Sequence, residues 1–390
     1  MLALVAAYYG LQDPPTANLC RYLRSRGWRV AVVLRAGQGA QEVIVEAKYF
    51  LPEARIRCLA SLTEFFNWGR VIKKAVRDLG PDLFISFMVH PWVSAGCLGQ
   101  VRRVCCIYDI PPAQHAGILA SSIYRNAWKN LGKLDYVWSS DPLKAQLCKV
   151  RGRLETAPPV CHNVPYSDYI DETELGSGRT WLCARLAAQD VMVEQGQKIL
   201  LRAGAFGVLG GIEETLAALV KNPTWVFVLM GRPDSDYEVF VRAKVAELNL
   251  KSQVGFIVRP SNDEWRKALL GADAGHLIHL RPDDGYHREA FDNNSPLSTN
   301  RLFQYMAAKL PIISSDDSRM AEIHREIDCF LVAEAANLVK SLDHILKRLR
   351  SDTFIDRNMG KAGRSAHLNK YNWEDQFAPI FESINFRRNS

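Results

Sequence analysis

Residues 292–315, DNNSPLSTNRLFQYMAAKLPIISS, contain the pattern that decides the fold class. Apolar residues recur at helical spacing and predict a helix with one buried face: Leu302, Phe303, Met306 and Ala307. Lys309-Leu310-Pro311 ends this helix, and Ile312 and Ile313 begin a short buried strand. A helix that leads directly into a buried strand is typical of α/β proteins with parallel sheets.

The start of the same helix has the chemistry of an anion site. Ser298 or Thr299 can cap it through a side-chain oxygen, and Asn300 follows. The free N–H groups and positive dipole end of a helix suit a phosphate. Arg301 can pair with the same anion, and Gln304, one turn later, could meet a sugar hydroxyl. The alternatives are a nucleotide-diphosphate site and an ordinary amphipathic helix.

Length and composition indicate a globular protein with two domains. The chain has 390 residues, of which 48% are hydrophobic and 23% are charged. The start, MLALVAAYYG, has no basic segment before it and is interpreted as a first buried strand, so we expect a cytoplasmic protein. The nine cysteines form no CxxC pair, which indicates reduced thiols and no metal site.

The positive charge is concentrated in the first half. Residues 1–165 contain 21 Lys and Arg against 11 Asp and Glu, a net charge of +10, and the remaining residues carry −3. Local clusters are Arg21/Arg24/Arg26/Arg29 and Arg70/Lys73/Lys74/Arg77. This charge favours an anionic membrane surface or an anionic acceptor, and the alternative is a solvated basic face.

Strand and helix patterns alternate along both halves of the chain. The first half predicts strands at Leu2–Tyr8, Trp28–Leu34, Arg55–Ala60, Asp82–Met88, Arg103–Tyr108 and Tyr136–Ser139. Residues 158–180 break the alternation with Pro, Ser, Gly and acidic residues. We therefore predict two doubly wound parallel-sheet domains that face each other across a cleft. Their bounds are 1–165 for an acceptor-binding domain, 166–180 for a linker, 181–370 for a nucleotide-sugar-binding domain, and 371–390 for a helix returning to the first domain.

Several familiar sites are absent from the sequence. The first strand is followed by YYGLQDPPTAN and not by GxGxxG, and the chain has no GxxxxGK[ST], GxSxG or HExxH motif. In open parallel sheets the ligand binds beyond the carboxyl ends of the strands, so the loops after strands are the candidate sites.

The second half resembles the C-terminal domain of GT-B glycosyltransferases, most closely the family-4 type. The similarity is carried by GIEETLAAL after a Gly-rich turn, WVFVLMG, QVGFIVRPSNDEWRKALLGADAG and NRLFQYMAAKLPIISS, together with HNVP and YNWEDQF. It implies a GT-B fold, with two Rossmann-like domains, and a nucleotide diphosphate sugar as donor, with a UDP-sugar favoured. No metal or other cofactor is implied.

The chain departs from family 4 at the expected phosphate contacts. That family has a basic pair around the first Gly-rich loop, where this chain has Ala205 and Gly210. It also has two glutamates eight residues apart, at positions that here are Pro296 and Gln304. Arg301, with Arg232 or Arg202, could replace that phosphate contact.

A looser resemblance is to the membrane-associated glucuronosyltransferases of xanthan assembly. These GT-B enzymes have a Lys-x-x-Gln that is similar to Arg301–Gln304, and a first loop similar to PPTAN. Their catalytic aspartate corresponds to Asp109. They invert the anomeric carbon whereas family 4 retains it, so the stereochemical outcome stays open.

Two residues of one loop are the candidate catalytic bases. Asp109 directly follows the buried strand RVCCIY, so its carboxylate could take the proton of an acceptor hydroxyl. His115 lies in the same loop and is the second candidate. The alternatives are a turn aspartate before Pro111-Pro112 and a surface histidine.

Further donor contacts are expected from loops that follow strands. Tyr286 could line the donor pocket, and Arg232 follows a buried strand. Gly204 and Gly207 would allow close approach of the backbone to a phosphate, or serve only a turn.

The resemblance implies a transferase that moves a sugar from a nucleotide diphosphate sugar to a hydroxyl acceptor. The acceptor could be a lipid-linked glycan, a saccharide or a small molecule, and envelope polysaccharide or glycolipid assembly is one setting. The protein would lie in the cytoplasm, peripherally on the inner face of the membrane, with no nucleic-acid partner. A GT-B epimerase or hydrolase and a non-catalytic sugar-nucleotide-binding module are the alternatives.

Overall fold

The computed structural model shows two compact α/β units. It describes residues 1–7, 14–35, 45–51, 60–87, 96, 98–107, 126–204, 207–232, 235–282, 288, 291, 296–351 and 353–386. The first unit comprises Met1–Tyr166, Glu289–Ser298 and Trp373–Ser390. The second comprises Ser167–Arg288 and Thr299–Asn372.

The first unit contains a six-stranded parallel sheet in the order β3-β2-β1-β4-β5-β6. Its strands are β1 Leu2–Ala7, β2 Arg29–Arg35, β3 Ala47–Leu51, β4 Leu83–Phe87, β5 Arg102–Ile107 and β6 Tyr136–Ser139. Its helices are α1 Pro14–Ser25, α2 Ala60–Leu79, α3 Pro142–Gly152 and, from the chain end, α12 Trp373–Phe386. The two central strands are almost completely buried because helices cover both faces of the sheet.

The last helix packs on the first unit through aromatic rings. Phe377 of α12 meets Tyr22 of α1 edge to face at 5.1 Å between centroids, and it meets Trp138 of β6 at 5.6 Å. At the start of α12, Trp373 N donates to Pro165 O at 3.0 Å, which joins the helix to the end of the stretch Met1–Tyr166. The aromatic contacts fix α12 over the face of the sheet that α1 also covers.

The second unit repeats the same topology, with the order β12-β11-β10-β7-β8-β9. Its strands are β7 Lys198–Ala203, β8 Trp225–Gly231, β9 Val254–Val258, β10 Ala274–Leu277, β11 Ile312–Ser315 and β12 Phe330–Ala333. Its helices are α4 Leu175–Ala187, α5 Ile212–Leu219, α6 Ser235–Glu247, α7 Asn262–Gly271, α8 Asn300–Ala307, α9 Ala321–Glu326, α10 Leu338–Ser351 and α11 Thr353–Asn369. In each sheet the first strand, β1 or β7, lies at the centre. The next two strands are added on one side of it and the last three on the other side, so the strand order reverses between β1 and β4 and between β7 and β10.

The structure corrects some predicted elements. The strand predicted over Arg55–Ala60 is wrong at Ala60, which begins α2, and residues 55–59 lie outside the described residues. The strand next to β2 is Ala47–Leu51, whose alternating half-exposed pattern is that of a sheet edge. The predicted linker 166–180 is wrong in its last residues, because Leu175 already begins α4. Gly178 has no side chain, which allows this start of α4 to pack closely on Leu270 of α7.

Candidate functional site

The candidate site lies in the second unit, where β7 and β10 are neighbours at the centre of the sheet. Gly204 follows β7, and His279 comes two residues after the end of β10. This is the point at which the strand order reverses, and in open parallel sheets ligands bind at the carboxyl ends of the strands there. The side chain of Arg301, from the first turn of α8, lies against Gly204.

Arg301 is a buried cation without a hydrogen-bond partner among the described residues. Only 9% of its surface is exposed, and its Nε and Nη1 atoms make no hydrogen bond. Its guanidinium lies so close to Gly204 that an added Cβ would stand 2.9 Å from Nη2. Burial lowers the pKa of Arg301, because the charged form loses its hydration. A buried guanidinium with unbonded donors is suited to an anion that arrives with a ligand.

Arg202 places a second guanidinium beside the Gly-rich turn. It is 3% exposed, and its Nη1 donates to Gly210 O at 3.1 Å and to Ile278 O at 3.3 Å. A Cβ on Gly210 would stand 2.5 Å from Nη2, so a larger residue here would have to displace the Arg202 guanidinium. Burial, and then the charge of Arg301, lower the pKa of Arg202 to about 9. The two arginines therefore repel one another in a desolvated site.

A chain of hydrogen bonds holds Arg202 to the start of α5. Arg202 Nη1 lies 3.1 Å from His276 Nδ1, and His276 Nε2 lies 2.9 Å from Thr215 Oγ1. Since a guanidinium can only donate, Nδ1 must accept and Nε2 must carry the proton. Thr215 then donates to Gly211 O at 2.6 Å. Gly211 is the N-cap of α5 with a left-handed φ of 58°. This series of hydrogen bonds therefore fixes the conformation of the turn as well as the position of Arg202.

Two neutral histidines complete the surroundings of the arginines. Burial, followed by the charges of nearby arginines, lowers the pKa of both His276 and His279 well below the ordinary value. The backbone of His279 is held by Ser315, which accepts from the N–H and donates to the carbonyl. The Nδ1 atom of His279 makes no hydrogen bond among the described residues. His279 therefore offers the site an uncharged polar group.

The electrostatic balance of this site is positive. Within the described ranges, no ion pair joins Arg202 or Arg301 to a carboxylate. Helix α5 begins with Glu213 and Glu214, which already complement its dipole. An anion is therefore expected at the two guanidinium groups and not at the first turn of α5.

Gln304 has two partners of its own in the structure. Its Oε1 accepts from the Trp265 indole N–H at 3.0 Å, and its Nε2 donates to the Tyr169 hydroxyl at 2.9 Å. It is 3% exposed. A contact from Gln304 to a ribose would have to use its second N–H or its second lone pair, so this assignment stays a prediction.

The remaining predicted donor residues are placed differently. Thr299 is the N-cap of α8 but makes no side-chain cap hydrogen bond, so the predicted capping by its side-chain oxygen is wrong. Its predicted contact with the donor stays a prediction. Asn300 Oδ1 is buried and unbonded among the described atoms. Ser298 is buried in a short 3₁₀ turn at 296–298 that groups with the first unit. Arg232 is exposed, and Gly207 has open space around its α-carbon.

Three predicted site residues lie outside the described residues: Asp109, His115 and Tyr286. Conversely, His276, Thr215 and His279 were not among the predicted site residues. The signal for the histidines was present in AGHLIHL, where two histidines interrupt an apolar run. Thr215 sits among helix-forming residues in EETLAAL, and nothing in that pattern distinguishes it.

The described residues give no sign of a metal centre or of a membrane span. They contain no group of three or more His, Cys, Asp or Glu side chains that could hold a metal ion. None of the described helices combines the length and the apolar character needed to cross a bilayer.

Comparison with solved structures defines the class of fold. A glycosyltransferase from Rickettsia africae is 13% identical with a TM-score of 0.70, covering 100% of this chain and 99% of that chain. Anabaena Alr3699/HepE in complex with UDP-glucose is 14% identical with a TM-score of 0.74, covering 99% and 100%. WaaG, a glycosyltransferase involved in lipopolysaccharide biosynthesis, is 13% identical with a TM-score of 0.70, covering 100% of both chains.

The chain therefore has the GT-B fold, with two Rossmann-like doubly wound units. No protein-family model matches the sequence, and no curated protein matches it. At such low identity, the likeness to the solved structures establishes the fold, and the activity has to be argued from the site.

Proposed function

We propose that the protein is a glycosyltransferase that moves a sugar from a nucleotide diphosphate sugar to a hydroxyl acceptor. The observation that carries the proposal is the Arg301 guanidinium, which is buried against Gly204 with two nitrogen atoms that make no hydrogen bond among the described residues. A diphosphate would bring the negative charge and the acceptor oxygens that this group lacks. The similarity of the fold to that of glycosyltransferase structures supports the same reading.

Arg202 and Arg301 would take the place of the basic pair that family-4 enzymes carry on the Gly-rich loop. The loop positions that lack the basic residues are Ala205 and Gly210. The Arg202 guanidinium lies against Gly210, and that of Arg301 lies against Gly204, the neighbour of Ala205. The positive charge would therefore be supplied from a strand end and a helix start instead of from the loop itself.

In the proposed reaction, the oxygen of an acceptor hydroxyl attacks the anomeric carbon of the donor sugar. The bond from that carbon to the diphosphate oxygen breaks, and the nucleoside diphosphate leaves with the bonding electrons. Arg202 and Arg301 would stabilise the charge that develops on the leaving diphosphate. Asp109, or His115 in its place, would take the proton of the acceptor hydroxyl.

The finer assignments follow from the same proposal. A UDP-sugar is the favoured donor, and Anabaena Alr3699/HepE has been solved with UDP-glucose. Ser298, Thr299, Asn300, Gln304, Tyr286, Arg232, Gly204 and Gly207 stay the proposed donor contacts. The basic first unit would bind the acceptor, which could be a lipid-linked glycan, a saccharide or a small molecule. A cytoplasmic protein in envelope polysaccharide assembly is one setting that fits.

Donor binding tests the proposal directly. Thermal shift and calorimetry with UDP-, GDP-, ADP- and dTDP-sugars should identify one nucleotide that raises the melting temperature. Arg301→Met should weaken that binding on the order of 10- to 100-fold, because charge-assisted hydrogen bonds are lost. Arg185→Met removes an exposed arginine of the same unit and serves as the control. Binding of no nucleotide sugar, or equal binding by both variants, would refute the proposal.

The two alternative functions need different experiments. A nucleotide-sugar epimerase or hydrolase would turn over its donor completely without any acceptor. A binding module would hold the donor and transfer it to nothing in a broad acceptor panel. Loss of transfer in Asp109→Asn, with donor affinity retained, would favour transferase catalysis over both.

A further inference from the structure

Helix α2 of the first unit has one face committed to the core. Trp68, Ile72 and Ala75 are completely buried and belong to a cluster with Leu4 and Val33 of the sheet. Each residue turns an α-helix by about 100°. The buried side chains therefore define one side of α2, and the opposite side faces away from the protein core.

The opposite side of α2 carries a basic row with an aromatic residue at its end. Five exposed residues form this row: Phe66, Arg70, Lys73, Lys74 and Arg77. Asp78 is also exposed, one turn after Lys74 at the edge of the row. By helical spacing the five residues of the row lie within an arc of about 100°, and the row is about 16 Å long. Phe66 is 69% exposed, which is unusual for a phenylalanine. We call these five residues the α2 basic face.

Within the described part of the first unit, little neutralises the charges of the α2 basic face. Among the described residues, no carboxylate lies within ion-pair distance of Arg70, Lys73 or Lys74. Arg77 has only a 3.9 Å contact with its neighbour Asp78, and both side chains are exposed. Such an exposed pair contributes little. Three positive charges of the α2 basic face therefore have no ion-pair partner among the described residues.

The second basic cluster, on and just after α1, is bonded within its own unit. Arg26 donates to the Tyr22 hydroxyl, Arg29 pairs with Glu46 at 3.2 Å, and Arg21 lies over the Tyr166 ring. Right-handed crossovers place α1 and α2 on opposite faces of the sheet, because the chain moves outward after β1 and returns after β3. The two clusters therefore cannot contact one flat surface together.

We propose that the α2 basic face docks this protein on an anionic lipid bilayer. Lysine and arginine side chains near such a surface are attracted by its negative potential, and an aromatic ring is favoured at the boundary between headgroups and acyl chains. The row of four cations with a terminal phenylalanine matches that combination. The surface lies in the first unit and does not depend on donor chemistry in the second. If the proposed function also holds, the acceptor is one presented at a lipid surface.

Vesicle binding by the full-length protein tests the inference. The protein should co-sediment with phosphatidylcholine vesicles that contain phosphatidylglycerol and not with phosphatidylcholine alone. Binding should weaken as salt is raised, because exposed charges are screened. Arg70→Gln/Lys73→Gln/Lys74→Gln should lower the partition coefficient on the order of 100-fold. Phe66→Ser should lower it by a smaller factor that persists at higher salt.

The matched control removes three charges from the other cluster, as Arg24→Gln/Arg26→Gln/Arg29→Gln. Equal loss in the two triple variants would show a response to net charge and would overturn the assignment to α2. Failure of the unmodified protein to bind anionic vesicles would overturn the proposal as well. Release of the bound protein from the vesicles by duplex DNA or polyglutamate, added at the same concentration of negative charge, would also overturn it. Nucleotide-sugar binding measured on the same variants should not change, which separates this test from that of the proposed function.

Discussion

The guanidinium of Arg301 occupies the space beside the α-carbon of Gly204 where any other residue would carry its side chain. The glycine has a φ of 120°, a backbone conformation that other residues rarely adopt. Gly231 at the end of β8 in turn approaches the carbonyl of Gly204, with no room for a Cβ. Two glycines at neighbouring strand ends thus allow a helix-borne arginine to reach the sheet.

Gly204→Ala should weaken nucleotide-sugar binding at least about 10-fold, because Arg301 must move away from the new methyl group. The substitution should also lower the free energy of unfolding by about 1–3 kcal/mol, since the left-handed backbone is strained by a Cβ. Calorimetry and chemical denaturation measure the two effects. Gly176→Ala, on a helix with open space, is the control and should not weaken binding. Unchanged affinity in Gly204→Ala would separate Arg301 from the donor site.

Arg301→Met should raise the stability of the free protein while it weakens donor binding. A buried charge without a counter-ion is costly, and an apolar side chain of similar length removes that cost. A gain of about 1–2 kcal/mol is expected in denaturant unfolding without nucleotide. A structural role for Arg301 makes the opposite prediction, namely a loss of stability in the variant.

Tyr305→Phe should destabilise the second unit without removing a ligand contact. The Tyr305 hydroxyl accepts from Ala203 N and donates to Leu201 O, both at 2.8 Å. Its loss leaves a buried N–H group unsatisfied, at a cost of about 1–3 kcal/mol. Tyr49→Phe, on the half-exposed edge strand, should cost much less. Equal unfolding midpoints for the two variants would contradict this assignment.

Acid should destabilise the protein in part through His276. Its pKa in the folded state lies well below the ordinary value, so the unfolded chain binds a proton near pH 6.5 that the folded state refuses. The stabilisation is therefore complete above about pH 6.5 and decreases below it, by at most about 1.4 kcal/mol per pH unit.

His276→Asn retains an acceptor for Arg202 and a donor for Thr215 but cannot take up a proton in this range. Its stability should fall less steeply than that of the unmodified protein between about pH 6.5 and pH 5. Titrating carboxylates affect both proteins alike, so the difference between the two slopes reports on His276. Parallel slopes would show that the histidine is not held neutral.

Much of the fold follows from local patterns. The strand Tyr136–Ser139 was predicted with the bounds that the structure has, because buried parallel strands are short apolar runs between turn residues. The edge strand Ala47–Leu51 was missed, since an edge strand is half polar. Phe330–Ala333 was missed too, because four residues give little pattern.

The candidate site could be predicted only in part. Arg301 was identified because it opens a helix after small polar residues, which is a local signal. Arg202 was one of two possible partners, and the choice between Arg202 and Arg232 depended on which side chain is buried. His276 and Thr215 are 61 residues apart in the chain and 2.9 Å apart in the fold, so no local pattern connects them.

The sequence by itself determined the alternation of strands and helices, the uneven charge and the helix that presents Arg301. These features depend on residues close together in the chain, where periodicity and capping act. Only the tertiary structure decided that the guanidinium groups of Arg202 and Arg301 lie against glycines, without a carboxylate among the described residues to neutralise them. Burial and pairing depend on which distant segments share the carboxyl edge of a sheet, and strand order sets that.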